Sequence, residues 1–483
     1  MASVQTKRPR IFPSAAFTLL VAGFSTDAGP APVKDINSGP GDSDPAGSVI
    51  LDGSLFFAAS DGVNGRELWR TDGTQTGTVL VKEFNPGPLN GYIGRGIRFG
   101  DMMLLGAGDA DFGFELWKSD GTAAATVMIK DLRPGPDHSN PRDFVLVGDR
   151  VFFVADTAMF DPSVWVTDGT GLGTFQLMDL YPGAFIPIDY LPTFQAFGDL
   201  FFFVADDGVH GWQIWKSNGS QEGTEMLMGS NPGASLWPEL GVPVGNILYF
   251  SIQSDLWKSD GTDGGTEMLH SVNPGTPFDW GAVALGDTLY FLGYDEVNEQ
   301  ALWKSDGTAG GTETVKDNYP GAKQEVFAEE LYRAGTNLYF HGLHEDSGFE
   351  LWKSDGTGVG TVPIDFTPGP GDTQIGWIQV LNNQLFLGRS EASTGSELWS
   401  CDGTVAGTSL IADLNPGPSS SNPYPIFGDG FRVYLAAKDG VHGEELWVFV
   451  APTIPAMSPI HAAAFAATLL VAGVIFARRV RLH

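Results

Sequence analysis

Between residues 33 and 450 the chain runs as short apolar segments of four to seven residues separated by Gly, Asp, Asn and Pro. No stretch in that span sustains a helical period. Runs of this length bounded by turn residues predict strands. One unit shows the pattern: Phe144–Val147, Val151–Ala155, Val164–Thr167 and Thr174–Asp179 read as four strands, A to D. Gly148-Asp149 makes a tight A–B turn. Asp168-Gly169 opens the C–D turn, Asp through its side chain and Gly by accepting a positive φ. Strand C carries an apolar residue followed by Trp, and neighbours in a strand point to opposite faces. Both faces of the sheet are therefore apolar and both must be covered.

That dipeptide recurs nine times, ending at Trp69, Trp117, Trp165, Trp215, Trp257, Trp303, Trp352, Trp399 and Trp447. All nine are expected to fill the same structural position, covered between stacked sheets. The spacing stays between 42 and 50 residues, the period of a β-propeller blade. Each of the first eight copies continues into Ser/Thr-Asp-Gly-Thr or a near copy, then comes a second pair such as Gly77-Thr78 or Gly407-Thr408, a short strand and Pro-Gly. From Trp to that Pro there are 17 residues in seven copies and 16 in the copy ending at Pro368. The repeat, as in Glu350-Leu-Trp-Lys-Ser-Asp-Gly-Thr357, resembles the bacterial ELWxxDGT repeat proteins over roughly residues 33–450. The resemblance implies a repetitive β fold and little about activity.

The two ends of the array are complementary. The last unit has strand C, Glu445–Phe449, but no Asp-Gly-Thr and no strand D. The segment Val33-Lys-Asp-Ile36 reads as an isolated strand D. Pairing the two closes a ring and removes a free sheet edge. The expected fold is an all-β propeller of four-stranded antiparallel blades with nine units. Eight blades, with the short unit around Trp257 displaced, is the alternative.

Outside the array, Lys7, Arg8 and Arg10 precede an apolar run, Ile11–Phe24, and then small residues. That order is an export signal, here residues 1–28. The propeller takes 29–452. Residues 453–483 hold Ile454 and Pro455, an apolar stretch over 460–477, then Arg478, Arg479 and Arg481. Eighteen apolar residues are just long enough to cross a bilayer, and the basic end should stay cytoplasmic. The segment resembles the IPTL/PEP-CTERM sorting signals, with Ala456-Met457 where that family usually has Thr-Leu. The resemblance implies an envelope or extracellular protein processed by a sorting peptidase. A permanent single-span anchor is the other reading.

Charge narrows the partners. The chain carries 27 Lys and Arg against 58 Asp and Glu, a net charge of −31. This argues against nucleic acid, which needs basic clusters. The membrane is then expected only through the C-terminal segment. One cysteine, Cys401, excludes an internal disulfide; it stands where other copies have Ser or Thr.

Constant C–D turns on one side leave the length variation to connections that meet on the other, where function usually sits. Trp237, Trp280 and Trp377, with Tyr92 and Tyr190, follow Pro-Gly signals there and are the candidate ligand-binding aromatics. The same residues would also serve to plug the channel or cover the blade tops. Acidic B–C loops (Asp61, Asp109, Asp111, Asp206, Asp207, Asp295, Glu296, Glu345, Asp346 and Asp439) admit Ca²⁺, though none has the full Asp-x-Asp-x-Asp-Gly spacing. No other cofactor is expected. His210 and His442 share a loop position with Asn64, which favours a turn role. His341 and His344 beside Glu345 lack a nameable third metal ligand. Glu329 and Glu330 depart from the repeat and are the best carboxylates for a polysaccharide-degrading enzyme. The leading reading is a non-catalytic exported propeller binding polysaccharide or a surface protein; a purely structural spacer is the third.

Overall fold

The computed structural model describes residues 30–182, 193–227, 236, 238–253, 255–271, 281–295, 299–317, 329–344, 348–367, 372–381 and 384–450. They form nine antiparallel sheets of four strands each. The only helical turn among the described residues is a 3₁₀ turn at Ala309–Gly311. The fold is a nine-bladed β-propeller, and the unit around Trp257 is a full blade with strands Pro238–Val244, Ile247–Ile252, Asp255–Ser259 and Glu267–Ser271. Blades 1 to 9 are numbered here in chain order, with strands a to d.

Strand c is central to each blade because its two apolar residues serve different seams. Leu68 of blade 1 packs with Met103, Leu105 and Trp117 of blade 2. Trp69, one residue on, packs with Tyr434 and Leu446 of blade 9. The rule holds at every seam. The residue before Trp in one blade shares a core with the Trp of the next, from Leu116 with Trp165 through Leu398 with Trp447. The seam of Leu446 with Trp69 closes the circle. No single hydrophobic centre exists; the core is nine radial slabs.

The nine Trp share one position in strand c but are not equally covered, where equal cover was expected. Seven are buried, but Trp215 and Trp257 are only half-buried. Trp215 packs against the edge of the slab formed by Phe152, Val154 and Val164 of blade 3, and its indole N–H donates to the Ala205 carbonyl at 3.2 Å. The residue opposite the aliphatic in the preceding blade also varies. Lys82 and Lys130 stand on strand d opposite Leu68 and Leu116, whereas Met178 stands opposite Val164. This residue does not by itself set the cover: Ala412 stands opposite Leu398, and Trp447 of the next blade is buried.

The strand c–d ladder carries a feature absent from the sequence reading. In blades 1, 2, 3, 5, 6 and 8 its register shifts between the apolar residue and Trp. In blade 1, Leu68 faces Lys82 while Trp69 faces Leu80, so Val81 is an extra residue on strand d. Such bulges increase the local twist, at the dipeptide that must address two seams.

Blade 9 is completed from the other end of the chain. Ala31 pairs with Val448 and Pro32 with Trp447, and the Val33 N–H donates to the Leu446 carbonyl at 2.8 Å. The closing strand is Ala31–Pro32, ahead of the expected Val33–Ile36, which follows it outside the ladder; Val33 and Ile36 are instead buried as side chains in the closing seam. Arg432 ties the seam on one side, donating to the Asp72 carbonyl at 2.6 Å and the Gly53 carbonyl at 2.9 Å. Glu445 ties it on the other, accepting from the Ile36 N–H at 3.1 Å and the Ser43 hydroxyl at 2.8 Å.

The seam rule makes a test. Leu302 and Trp352 are 50 positions apart but share one buried cluster, whereas Leu302 and Trp303 are adjacent and serve different ones. Leu302→Ala and Trp352→Ala should each cost about 2–5 kcal/mol and couple strongly in a double-mutant cycle. The Leu302→Ala/Trp303→Ala cycle should be nearly additive. Denaturant unfolding of these variants and the wild type measures both.

Candidate functional site: the face of variable loops

The two faces of the ring are built by different chemistry. On one lie the a–b and c–d turns. Eight of the nine a–b turns have two residues, such as Asp52-Gly53. The c–d turn is a self-contained hydrogen-bonded unit. In blade 2, Asp120 Oδ1 accepts the N–H and the hydroxyl of Thr122 at 2.9 and 2.7 Å. The Thr126 hydroxyl bonds the Thr122 carbonyl at 2.6 Å, and Ser119 and Thr126 hydroxyls meet at 2.7 Å. The Thr122 hydroxyl and N–H hold the Asp120 carboxyl below its usual range. Seven of the eight turns have Gly at the second position, where a Cβ on Gly173 would come against the Asp168 carboxylate; blade 2 carries Ala125 there and keeps the same turn bonds. The first Gly takes a positive φ, 92° at Gly121, and lies against Phe56 of the preceding blade.

Cys401 belongs to this turn in blade 8. It is buried, and its Sγ accepts from the Gly403 N–H at 3.2 Å and the Thr408 hydroxyl at 3.0 Å. Burial pushes its thiol up, which disfavours the reactive thiolate.

The b–c turns and d–a connections form the opposite face. Here the Glu of Glu-Leu-Trp acts, a role the sequence reading did not assign. Glu115 is fully buried and accepts from the Leu132 N–H at 2.6 Å, the Ser139 N–H at 3.0 Å and the Ser139 hydroxyl at 2.7 Å. Glu397 repeats the pattern with Leu414 and Ser421. Glu67 holds the Phe84 and Asn85 N–H groups, and Glu350 the Thr373 hydroxyl. Each pins the d–a connection of its own blade to strand c. Ser163, Gln213, Asp255 and Ala301 occupy this position in blades 3 to 6. The signal was legible as a Glu ahead of the apolar pair in five of nine copies.

Of the candidate aromatics, two lie among the described residues. Tyr92 is 53% exposed, with φ 49°, and sits edge-on to His138 at 5.3 Å. Trp377 is half-buried in strand a of blade 8; it packs on the seam with blade 9, and its indole N–H donates to the Pro423 carbonyl. Trp237, Trp280 and Tyr190 lie outside the described residues, as do Ile454, Pro455, Arg478, Arg479 and the stretch 460–477. Among the described residues no helix is long and apolar enough to cross a membrane.

The acidic b–c loops are organised as turns. Asp61 Oδ1 accepts the N–H groups of Val63 and Asn64 at 2.9 and 2.7 Å, and Oδ2 accepts the Asn64 amide at 2.8 Å. His210 and His442 put Nδ1 in the place of that amide, each 2.7 Å from Asp207 and Asp439. The bond to Asp439 raises the His442 pKa, with Asp35 and Glu445 adding to it. Among the described residues no three His, Cys, Asp or Glu groups converge as a metal site. Glu296, Glu345 and Asp346 lie outside those residues. Backbone alone is described for Asp295, His344, Glu329 and Glu330, the last two in strand a of blade 7. Arg389 breaks the repeat. It is buried over the rings of Trp399 and Phe366 at 4.5 and 5.0 Å and pairs with Glu391 at 2.9 Å. Lys34 and Lys82 supply the cation over Trp69 and Trp117, so Arg389 is a local replacement.

No protein-family model matches the chain, and no curated protein matches it. Solved structures with a similar course include BamB from Moraxella catarrhalis, at 12% identity over 72% of this chain and 92% of that one, TM-score 0.38. Saccharomyces cerevisiae Sqt1 aligns at 12% identity over 88% and 98%, TM-score 0.39. A puromycin hydrolase aligns at 13% over 75% of this chain, which spans 61% of that protein, TM-score 0.34.

The buried glutamates set a pH dependence. Burial raises Glu67, Glu115 and Glu350 to about 7, against the opposing pull of their hydrogen bonds. Between about 4.5 and 7 the folded state therefore holds more protons than the unfolded one. Stability from these groups is present in full below about 4.5, and it falls as pH rises through 7. The slope is at most about 1.4 kcal/mol per pH unit for each group. Thermal unfolding should show Tm falling from pH 5 to 8, less steeply in Glu115→Gln. A Tm that rises over this range would contradict the assignment.

Proposed function

We propose that this protein is an exported, non-catalytic binding propeller, held at the cell envelope by its C-terminal segment and meeting extracellular polysaccharide or protein on its variable face. The carrying observation is topological. Strand c of blade 9 runs toward the c–d face, and the closing strand is antiparallel to it. The described chain thus enters at Ala31 and leaves at Val450 on the same, uniform face. A ring tethered there turns its long connections outward. The sequence of residues 453–483 supports the tether, and residues 1–28 support export. The rigid c–d turns and pinned d–a connections support a scaffold that holds loops still for recognition.

Cysteine labelling on intact cells tests this. Cys401→Ser restores the residue common at that turn position and should leave Tm nearly unchanged. In that background, Val63→Cys on the variable face should react with a membrane-impermeant maleimide. Leu172→Cys, fully exposed on a c–d turn, should react severalfold more slowly until the envelope is dissolved. Labelling of neither site before lysis would overturn export, and equal labelling of both would overturn the orientation.

A further inference from the structure

The variable face carries exposed apolar side chains. In blades 9, 1 and 4 the b–c turn reads Asp-Gly-Val, and Val441, Val63 and Val209 stand exposed at its tip. Phe112 occupies the tip in blade 2, and Met159 and Phe160 in blade 3. These six are between 41% and 72% exposed. The five blades are consecutive around the ring, since blade 9 adjoins blade 1 through the closing seam. The d–a connection of blade 1 continues the surface: a Cβ on Gly65 of the b–c turn would overlap the Leu89 carbonyl, and the Leu89 side chain is itself exposed. In blade 8 the corresponding turn is Ala392-Ser-Thr394, without a large apolar residue.

Each tip stands on a carboxylate. Asp439, Asp61 and Asp207 form the base of the three valine turns, Asp109 and Asp111 flank the tip of blade 2, and Asp161 follows Phe160. The one Lys or Arg within these five turns is Lys438, and it pairs with Asp42 at 3.1 Å. Apolar knobs rimmed by negative charge select a partner. A second copy of this face would set carboxylate against carboxylate. An anionic polysaccharide or lipid surface meets the same repulsion. A neutral sugar stacks on aromatic faces, and most of these tips are aliphatic. A protein segment with apolar residues on one side and Lys or Arg on the other satisfies both features at once.

We propose that the arc of tips on blades 9, 1, 2, 3 and 4 is a docking surface for a protein partner presenting a basic, amphipathic segment. This rests on the variable face being the binding face, and it names the partner class for it.

The test uses the purified full chain and three labelled 18-residue peptides: amphipathic Lys/Leu, Lys/Ser of equal charge, and amphipathic Glu/Leu. A second sample carries Val63→Ser, Phe112→Ser, Met159→Ser and Val209→Ser; all four sites are exposed, and an unchanged Tm confirms its fold. Fluorescence anisotropy should show the Lys/Leu peptide binding the wild type at least tenfold more tightly than the Lys/Ser peptide. It should bind the serine variant at least tenfold more weakly, and salt should weaken it further. Equal binding of Lys/Leu and Lys/Ser peptides, equal binding to the variant, or equal binding of the Glu/Leu peptide would overturn the proposal. A polysaccharide panel runs beside it. Sugar binding that the serine variant loses, with no peptide binding, overturns the partner class and leaves the variable-face reading standing. Binding of neither overturns both.

Discussion

Everything in this ring depends on one property of an extended chain, that consecutive side chains point to opposite sides of the sheet. In strand c the consecutive residues are a large aliphatic and a Trp, so one dipeptide fills half of two different seams. Leu68 belongs to the slab shared with blade 2 and Trp69 to the slab shared with blade 9. No blade can bury its own apolar residues. A blade alone would expose both, and an open row of blades would leave both terminal faces uncovered. Closure is therefore a consequence of the same residues that build the units, and the aliphatic–Trp step must run unbroken through Leu446 and Trp69.

The two faces of the disc then follow from what each connection must satisfy. The Asp-Gly-Thr-x-x-Gly-Thr turn bonds its own side chains and backbone, so its length and composition are constrained wherever it occurs. The opposite face has no such unit. Its b–c turns in blades 1, 4 and 9 are short local motifs around one carboxylate. Its d–a connections are tied to strand c by a buried Glu where that residue is present, together with backbone bonds such as the Ser139 N–H to the Phe114 carbonyl at 3.0 Å. Glu115 satisfies donors from both ends of its connection, Leu132 and Ser139. This leaves the intervening loop free to vary in sequence, and the cost is a carboxylate held in a place that disfavours its charge.

The candidate site was legible in the sequence only as a location. Constant spacing from Trp to Pro placed the variation on one face, and the ring confirms which connections share it. The individual residues divided. Trp377, read as a rim aromatic, lies half-buried on the seam with blade 9, because strand a of blade 8 begins two residues before it and its ring turns toward Pro423. Tyr92 stands exposed as expected. Trp215 matches the other repeat Trp in sequence and packs in the same seam position, yet it is left half-buried. The buried Glu was visible as part of the repeat but carried no chemical signature, since its partners are backbone N–H groups about 17 and 24 residues downstream. Arg389 looked like any arginine until Trp399 was found beneath it.

The sequence by itself determined the strand pattern, the nine units, the turn chemistry and the need for a closing strand. These are local or periodic properties, set by alternation, by glycines that must take positive φ, and by an array with complementary ends. Tertiary structure alone decided which seam each Leu and Trp enters, the bulge between them and the first residue of the closing strand. It also decided that both described ends leave from one face and that the exposed tips fall on consecutive blades. Those facts depend on strand direction and on neighbours some fifty residues or a whole ring apart, which spacing along a single chain does not encode.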